Sequence, residues 1–419
     1  MPRNLRVIRW SVRGVCFLLA VALLFPLLAP HQAAIVVPSL SPFVAVAAWW
    51  ALGSLPAFAW LGLIVGLVAL LRARWFCRWA CPTGFCADEA SRLGRRCGRT
   101  ALRAPRIGEA VVLLTWGGAL AGYPLLLWLD PLSLFSAAFR LAGPAGYPGW
   151  WWSATGLLSV LLLSLIWPQL WCARCCPLGA VQDLLWQVGR RVQRLGWGGR
   201  SAGSSAGSRQ GRRAVLGLAA GAAGAFWLRT RGGGLAAEQP APTRPLRPPG
   251  AVPEPAFAGL CLRCGNCVRI CPSRIVQNDP GQHGPAGFLA PRLHFDHDYC
   301  REDCVACTQV CPSGALTRLS SDAKPQVQIG LPRVDMNRCL LGDARECSIC
   351  RAACPYEAIH YEFCEIEYTL TPRIDPTRCN GCGACQVACP TEPQKAIVVQ
   401  GHTRGQASLI CSSGTGRTV

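Results

Sequence analysis

Several features that would assign this chain a chemistry are scarce or missing. Its six histidines, His31, His283, His294, His297, His360 and His402, all lie outside the long apolar runs. A membrane haem held by two His ligands is therefore excluded. No C-x-x-C-H haem-attachment motif occurs, because Cys261-x2-Cys264 is followed by Gly265. No phosphate loop or dinucleotide fingerprint precedes a helix, and the Gly-rich stretches 221–224 and 232–234 read as linker or signal composition. No nucleophile–base pair stands out, so no substrate-specific catalytic site is expected. Acids are almost absent from the first 237 residues, where only Asp88, Glu89, Glu109, Asp130 and Asp183 occur.

What is present is charge of the other sign, apolar length and cysteine. The chain has 419 residues, is 51% hydrophobic and carries a formal charge of +20. Such hydrophobicity excludes a disordered basic protein. The length excludes a small disulfide-stapled domain and predicts two or three parts. A nucleic-acid binder is the usual reading of +20, but the charge is not spread: residues 1–237 hold 24 Arg and a net +19, residues 238–419 a net +1.

Four apolar runs in the first half, Val12–Ala29, Leu55–Leu71, Glu109–Leu129 and Trp150–Trp167, read as membrane spans. Arg3, Arg6, Arg9 and Arg13 at the start of the first run, nine Arg in the 72–106 loop and eight in the 168–213 tail make twenty-one. The loop between runs one and two has none, and that between runs three and four has only Arg140. The positive-inside rule then places the N-terminus, the 72–106 loop and the 168–213 tail in the cytoplasm. Trp49, Trp50 and Trp150, Trp151 and Trp152 fit anchors at the outer interface. The excess charge is thus a topology signal, and no nucleic-acid partner is expected.

The division expected is a four-span membrane domain over 1–200, then a linker and signal or anchor segment over 201–237. A Pro-rich spacer follows at 238–256, a cluster domain at 257–400 and a tail at 401–419. Within the second part, 201–211 reads as a flexible linker. Arg212-Arg213 and the weakly apolar Ala214–Leu228 resemble a twin-arginine export signal, either cleaved after Ala237 or kept as a short fifth anchor. That route exports folded, cofactor-loaded domains, which puts the cluster domain in the periplasm; if 214–228 does not cross, the domain stays in the cytoplasm.

Sixteen of the 26 Cys form four groups, each followed by Pro: Cys261, Cys264, Cys267, Cys271; Cys300, Cys304, Cys307, Cys311; Cys339, Cys347, Cys350, Cys354; and Cys379, Cys382, Cys385, Cys389. Groups one and four fit C-x2-C-x2-C-x3-C-P; group two widens its first gap to three residues and group three to seven. This is the pattern of [4Fe–4S] ligation, in which three close thiolates wrap a cube and the fourth reaches the neighbouring one. Gly265, Gly381 and Gly383 let the backbone turn close to the cube. The fourth Cys is expected to begin a helix, with its Pro at the first helical position. Zinc sites separate their C-x2-C pairs by a longer gap, and Cys this close rarely form disulfides. Four cubes in two ferredoxin-like pairs follow. Spacing does not decide whether groups one–two and three–four pair, or one–four and two–three; we take the first as the working arrangement.

A thinner pattern lies in the first half. Cys77-x3-Cys81-Pro82 follows the second run and Cys172-x3-Cys176-Pro177 the fourth, offering four thiolates for a further cluster, with Cys86 and Cys175 as alternatives. Cys16, Cys97, Cys364 and Cys411 have no assigned role.

Residues 247–272 (RPPGAVPEPAFAGLCLRCGNCVRICP) and the four groups resemble the NapG/MauM-type periplasmic ferredoxins. Residues 76–82 and 171–182 (WCARCCPLGAVQ) resemble the paired C-x3-C-P motifs of NapH-type and NosR-like membrane proteins. The chain reads as a fusion, NapH-like first and NapG-like second, without the ferredoxin tail that usually ends NapH-type proteins. The resemblance implies an α-helical membrane bundle followed by an α+β ferredoxin-like domain in the inner membrane, multi-pass. It also implies electron transfer from the quinol pool to a periplasmic reductase, dehydrogenase or cytochrome. MauM-type relatives imply an alternative, maturation of a periplasmic redox enzyme. One tension follows: the C-x3-C-P site is expected at the cytoplasmic face and the four cubes outside, with about 30 Å of bilayer core between them.

Overall fold

The computed structural model describes all residues except 1–2, 26–29, 103, 140–149, 197–204, 238–244, 344, 365–368 and 402–419. Arg140, the start of the 201–211 linker, much of the Pro-rich spacer, Cys411 and nearly all of the tail therefore lie outside the described residues.

The first half is helical. Its main elements are α1 (Arg3–Leu24), α2 (Pro42–Leu52), α3 (Ala59–Leu71), α4 (Pro82–Arg96), α5 (Ile107–Leu120), α6 (Pro131–Ala138), α7 (Thr155–Ile166), α8 (Pro177–Gly196) and α9 (Ser205–Ala237). The expectation of four full-length spans is corrected: among the described residues only α1 is by itself long and apolar enough to cross a bilayer. Helices α3, α5 and α7 have 13, 14 and 12 residues. At about 1.5 Å per residue each reaches roughly 20 Å, against a core of about 30 Å. The apolar runs continue past the helices, but turns punctuate them. Run two contains Pro56 before α3, and run three turns at Gly122 (φ +78°) and Pro124 after α5. A pair not anticipated, Gln32–Ser39 with α2, passes the same test only jointly and is bent by 96° between its parts.

The half is built twice. Segment α3–Cys77–Cys81–α4 and segment α7–Cys172–Cys176–α8 repeat the same local structure with an offset of 95 residues. Pro82 and Pro177 each begin a helix, where the missing N–H is not needed. Arg74 (φ +51°) and Gln169 (φ +66°) hold equivalent left-handed turns. The copies interlock crosswise. A Cβ at Gly94 on α4 would lie 2.2 Å from the Leu165 carbonyl of α7, and one at Gly189 on α8 would lie 2.2 Å from the Leu70 carbonyl of α3. Only Gly permits either approach.

Residues 205–211, expected as linker, are the first turns of α9, which runs as one helix through the signal-like segment. Its small residues lie against α5: a Cβ at Gly221 would meet the Leu114 carbonyl at 2.2 Å, and one at Gly117 the Leu218 carbonyl at 2.1 Å. Packing of this face supports a helix that composition alone would leave marginal.

The second half contains short antiparallel pairs: β1 (Val276–Asn278) with β2 (Pro291–Leu293), β3 (Leu331–Val334) with β6 (Ile397–Gln400), and β4 (Ile359–Cys364) with β5 (Thr369–Ile374). Two equivalent units emerge. In each, a hairpin separates two Cys groups, and the segment before the first group pairs with the segment after the second. The closing pair is Ala251 with Leu316 in one unit and β3 with β6 in the other.

The halves share a core. Phe257, Leu260 and Leu262 pack with Phe43, Val44, Ala47 and Ala48 of α2. Gly314, after the second Cys group, sits where a Cβ would meet Leu52 Cδ1 at 2.7 Å. Trp152 meets Phe288 edge-on with ring centroids 6.3 Å apart. The cluster half therefore rests on the connections expected to face outward.

Candidate metal centres

The sixteen grouped Cys come together as four thiol sites, each taking three Cys from one group and one from its partner. Site A gathers Cys261, Cys264, Cys267 and Cys311. Site B gathers Cys300, Cys304, Cys307 and Cys271. Site C gathers Cys379, Cys382, Cys385 and Cys354. Site D gathers Cys339, Cys347, Cys350 and Cys389. Groups one and two thus exchange their fourth thiols, as do groups three and four.

Local backbone explains the wrapping. Gly265 (φ +75°) precedes the short helix Asn266–Ile270, and Gly383 (φ +89°) precedes Ala384–Ala388. Each glycine supplies a left-handed turn. The helices then stop at Cys271 and Cys389. This corrects the expectation that the fourth Cys begins a helix. It ends one, and Pro272 or Pro390 follows where the helix cannot continue. Amides of the returning chain point at these thiols: Leu316 N–H donates to Cys311 Sγ at 3.4 Å, and Ala358 N–H to Cys354 Sγ at 3.4 Å. Burial pushes the Cys264 and Cys382 thiols up to about 12. Cys389 runs the other way: burial raises it, but hydrogen bonds from Thr391 and the amides of Thr391, Ala396 and Ile397 outweigh that and lower it. For Cys264 and Cys382 a bound cation would offset that burial by stabilising the anionic form.

The sites form a row. Cys267 of A lies near Cys307 of B, the Cys300 amide of B donates to the Cys382 carbonyl of C at 2.9 Å, and Cys385 of C lies near Cys350 of D. The order in space is A, B, C, D.

The first half brings Cys77, Cys81, Cys172 and Cys176 to one cavity of about 210 Å³, here called site M. Cys86 and Cys175 do not line it. Gln182 Nε2 donates to Cys77 Sγ at 3.0 Å, and the Gly84 amide to Cys81 Sγ at 3.3 Å. Arg74 holds Asp183 and donates to the Cys172 carbonyl at 3.1 Å. Arg13 is 2% exposed and pairs with Asp88 at 2.6 Å, while its Nε and Nη2 have no hydrogen-bond partner. Four thiols and two donors aimed at sulfur, in a cavity also lined by Arg9, Arg74 and Arg78, suit an anionic group with sulfur ligands. Sequence reasoning missed Arg13, Gln182 and the Arg74–Asp183 pair. Only the equivalent positions of Asp88 and Asp183 in the two copies hinted at them.

Among the described residues no three His, Cys, Asp or Glu side chains converge tightly enough for one ion. The thiols of A, B and D instead ring small pockets. That arrangement fits a polyatomic cluster better than a lone zinc. Cys16 lies on α1, Cys97 is exposed at the end of α4, and Cys364 ends β4.

Sites M and A meet through packing. Leu24 and Ala34 share a core with Cys81, Cys176, Leu132 and Phe135. Their carbonyls accept from site A's side: Arg269 Nη1 donates to Leu24 O at 3.3 Å and Asn266 Nδ2 to Ala34 O at 3.3 Å. Connections that charge patterning puts outside thus fold inward, and Pro131 at the start of α6 lines site M itself.

A family model described as a 4Fe-4S dicluster domain matches residues 260–315 and 344–392. Another, described as a 4Fe-4S binding domain, matches residues 54–99 and 149–196, the two copies around site M. The chain is similar to the methylamine utilization ferredoxin-type protein MauM of Methylobacillus flagellatus, 37% identical over 169 residues, which is 38% of this chain and 70% of that protein. It is similar to the ferredoxin-type protein NapG of Escherichia coli, 34% identical over 165 residues, 37% of this chain and 69% of that protein. The ferredoxin-type protein NapF of Escherichia coli is 30% identical over 158 residues, 38% of this chain and 87% of that protein. No solved structure matches the chain.

Proposed function

The chain belongs to the family of ferredoxin-type proteins that includes MauM and NapG, and from that premise we propose that it is a membrane-anchored iron–sulfur electron carrier. Its NapH-like first half takes electrons from the quinol pool, and its cluster half delivers them to a periplasmic oxidoreductase. Sites A to D hold four [4Fe–4S] cubes and site M a fifth. When bound, these cubes supply one-electron transfer.

The chain's own residues do the rest. Gly265, Gly381 and Gly383 let the backbone close around the thiols. Amides at Leu316, Ala358 and Gly84 donate to sulfur and favour its anionic form. The shared core of the two halves fixes site A against the layer that covers site M. The observation that carries the reading is this continuity: one row, A to D, whose A end rests on the core that contains Cys81 and Cys176. The α5–α9 packing supports retention of the twin-arginine-like segment as an anchor. The Arg asymmetry supports a periplasmic cluster half.

The test is reduction of the full chain, purified in detergent with its clusters loaded, by a quinol, followed by electron paramagnetic resonance. All four signals of the cluster half should appear, and Cys81→Ser should abolish quinol-driven but not dithionite-driven reduction. Clusters that dithionite reduces and quinol never does would leave the maturation role as the better reading.

A further inference from the structure

The chain contains two lysines, Lys324 and Lys395, among its 42 basic residues. Both lie against thiol sites. Lys324 is 0% exposed, which is rare for lysine without a charged partner. No carboxylate among the described residues pairs with it. Its Nζ donates to the carbonyl of Arg301, which lines site B beside Cys300, and its charge acts on the Cys300 and Cys307 thiols. A fully buried ammonium with no counter-ion is unfavourable by several kcal/mol. A cube bound by four thiolates is anionic and gains one more negative charge when it accepts an electron. That charge is the partner the site otherwise lacks.

We propose that Lys324 is a positioning residue that raises the reduction potential of the centre at site B, making B the electron-holding member of the row. This inference rests on the four-cluster reading. The electrostatics set its direction: a fixed cation beside a thiolate favours the more negative, reduced form, and burial keeps water from screening it. Lys395 supplies an internal contrast. It is half-buried, and its Nζ donates to the Cys389 carbonyl at 2.7 Å. Its effect on the centre at D is therefore smaller.

The experiment is a dithionite titration of the full chain with clusters loaded, read by electron paramagnetic resonance, for Lys324→Gln, Lys324→Arg and Lys395→Gln. Lys324→Gln keeps a donor and removes the charge. One of the four midpoints should fall by at least tenfold in the reduction equilibrium, about 59 mV for one electron. The other three should hold, Lys324→Arg should restore the fallen midpoint, and Lys395→Gln should move its own centre less. If Lys324→Gln loses one cube's iron, Lys324→Met, which keeps the length of the side chain and removes the charge, takes its place in the titration with the same midpoint fall expected. Loss in both variants overturns it, as do an unmoved midpoint and an equal shift of all four. A parent protein without four cubes would fail the functional reading itself, before any variant is compared.

Discussion

The two halves of this molecule use the same word, Cys followed by Pro, to build opposite local structures. In the cluster half the Cys before Pro ends a short helix, and its thiol crosses to the neighbouring site. In the first half the Cys before Pro caps a long helix that Pro begins, and its thiol stays with its own pair. The difference lies in how each site is assembled. Sites A to D take three thiols from one short stretch, so a loop suffices. Site M takes two from each of two turns, and Cys81 and Cys172 are 91 positions apart in the chain. It exists only if α3, α4, α7 and α8 pack correctly. Damage to a loop should therefore empty one site, whereas damage to helix packing should empty M alone.

The largest effect expected is on the exchange of thiols. Cys311→Ser should remove one cube of the four in the cluster half, and Cys261→Ser should remove the same one. The double variant should then lose no more iron than either single. Cys311→Ser with Cys271→Ser should lose two cubes. Iron and sulfide analysis reads both. Additive losses for Cys261 and Cys311 would mean that these thiols serve different sites and that the pairing described above is wrong.

Next come the interlocking glycines. Gly94→Leu and Gly189→Leu each force a side chain against a backbone carbonyl that a Cβ alone would approach to 2.2 Å. Overpacking of this kind destabilises by about 1–3 kcal/mol. Both variants should lose the site M cube and lower the unfolding midpoint while keeping the other four. Equal effects are expected, because the positions are equivalent in the two copies. Loss of all five cubes together would show that the halves fold as one unit and would erase the contrast.

These comparisons also mark what the sequence makes legible. The four Cys groups, the four thiols of site M and the repeat of C-x3-C-P are spelled out by spacing, because ligation demands fixed residue types at fixed separations. Which groups pair is not spelled out, since the intervals between them are similar. The fold decides it through β1–β2, β4–β5 and the two closing pairs. The apolar runs overstate the spans for a related reason. Hydropathy measures how apolar a run is, not where Gly122 or Pro124 turns it. Arg13 and Lys324 escaped notice because a buried cation looks like any other in one dimension; only three-dimensional burial next to thiols gives it meaning.

A third prediction probes the loops. Gly381 has φ +79°, and a Cβ there would lie 2.3 Å from the Gly330 carbonyl. Gly381→Ala should cost about 1–2 kcal/mol for the left-handed backbone alone, and the clash adds to it. The unfolding midpoint of the cluster half should fall and site C should lose iron faster to a chelator, with A, B and M unchanged. Faster loss from M would contradict the local character of the loop sites.

The smallest effect expected is at the junction of the two regions, and it is the most specific. Asn266 is 2% exposed and donates to the Ala34 carbonyl, while its own oxygen accepts from Arg269 Nη2 at 2.5 Å. Asn266→Ala removes one bond across the junction and one partner of a buried guanidinium whose Nε is already unpaired. The neutral bond is worth about 0.5–1.5 kcal/mol and the one to the guanidinium about 1.5–3 kcal/mol. Neither loss empties site A, since none of its four thiols changes. The variant should keep its iron and its dithionite titration while quinol-driven reduction of the cluster half slows. Slowing on the quinol side alone would locate the defect between M and A. Equal rates with both reductants would mean that electrons enter the row somewhere other than the layer joining α1 to site A.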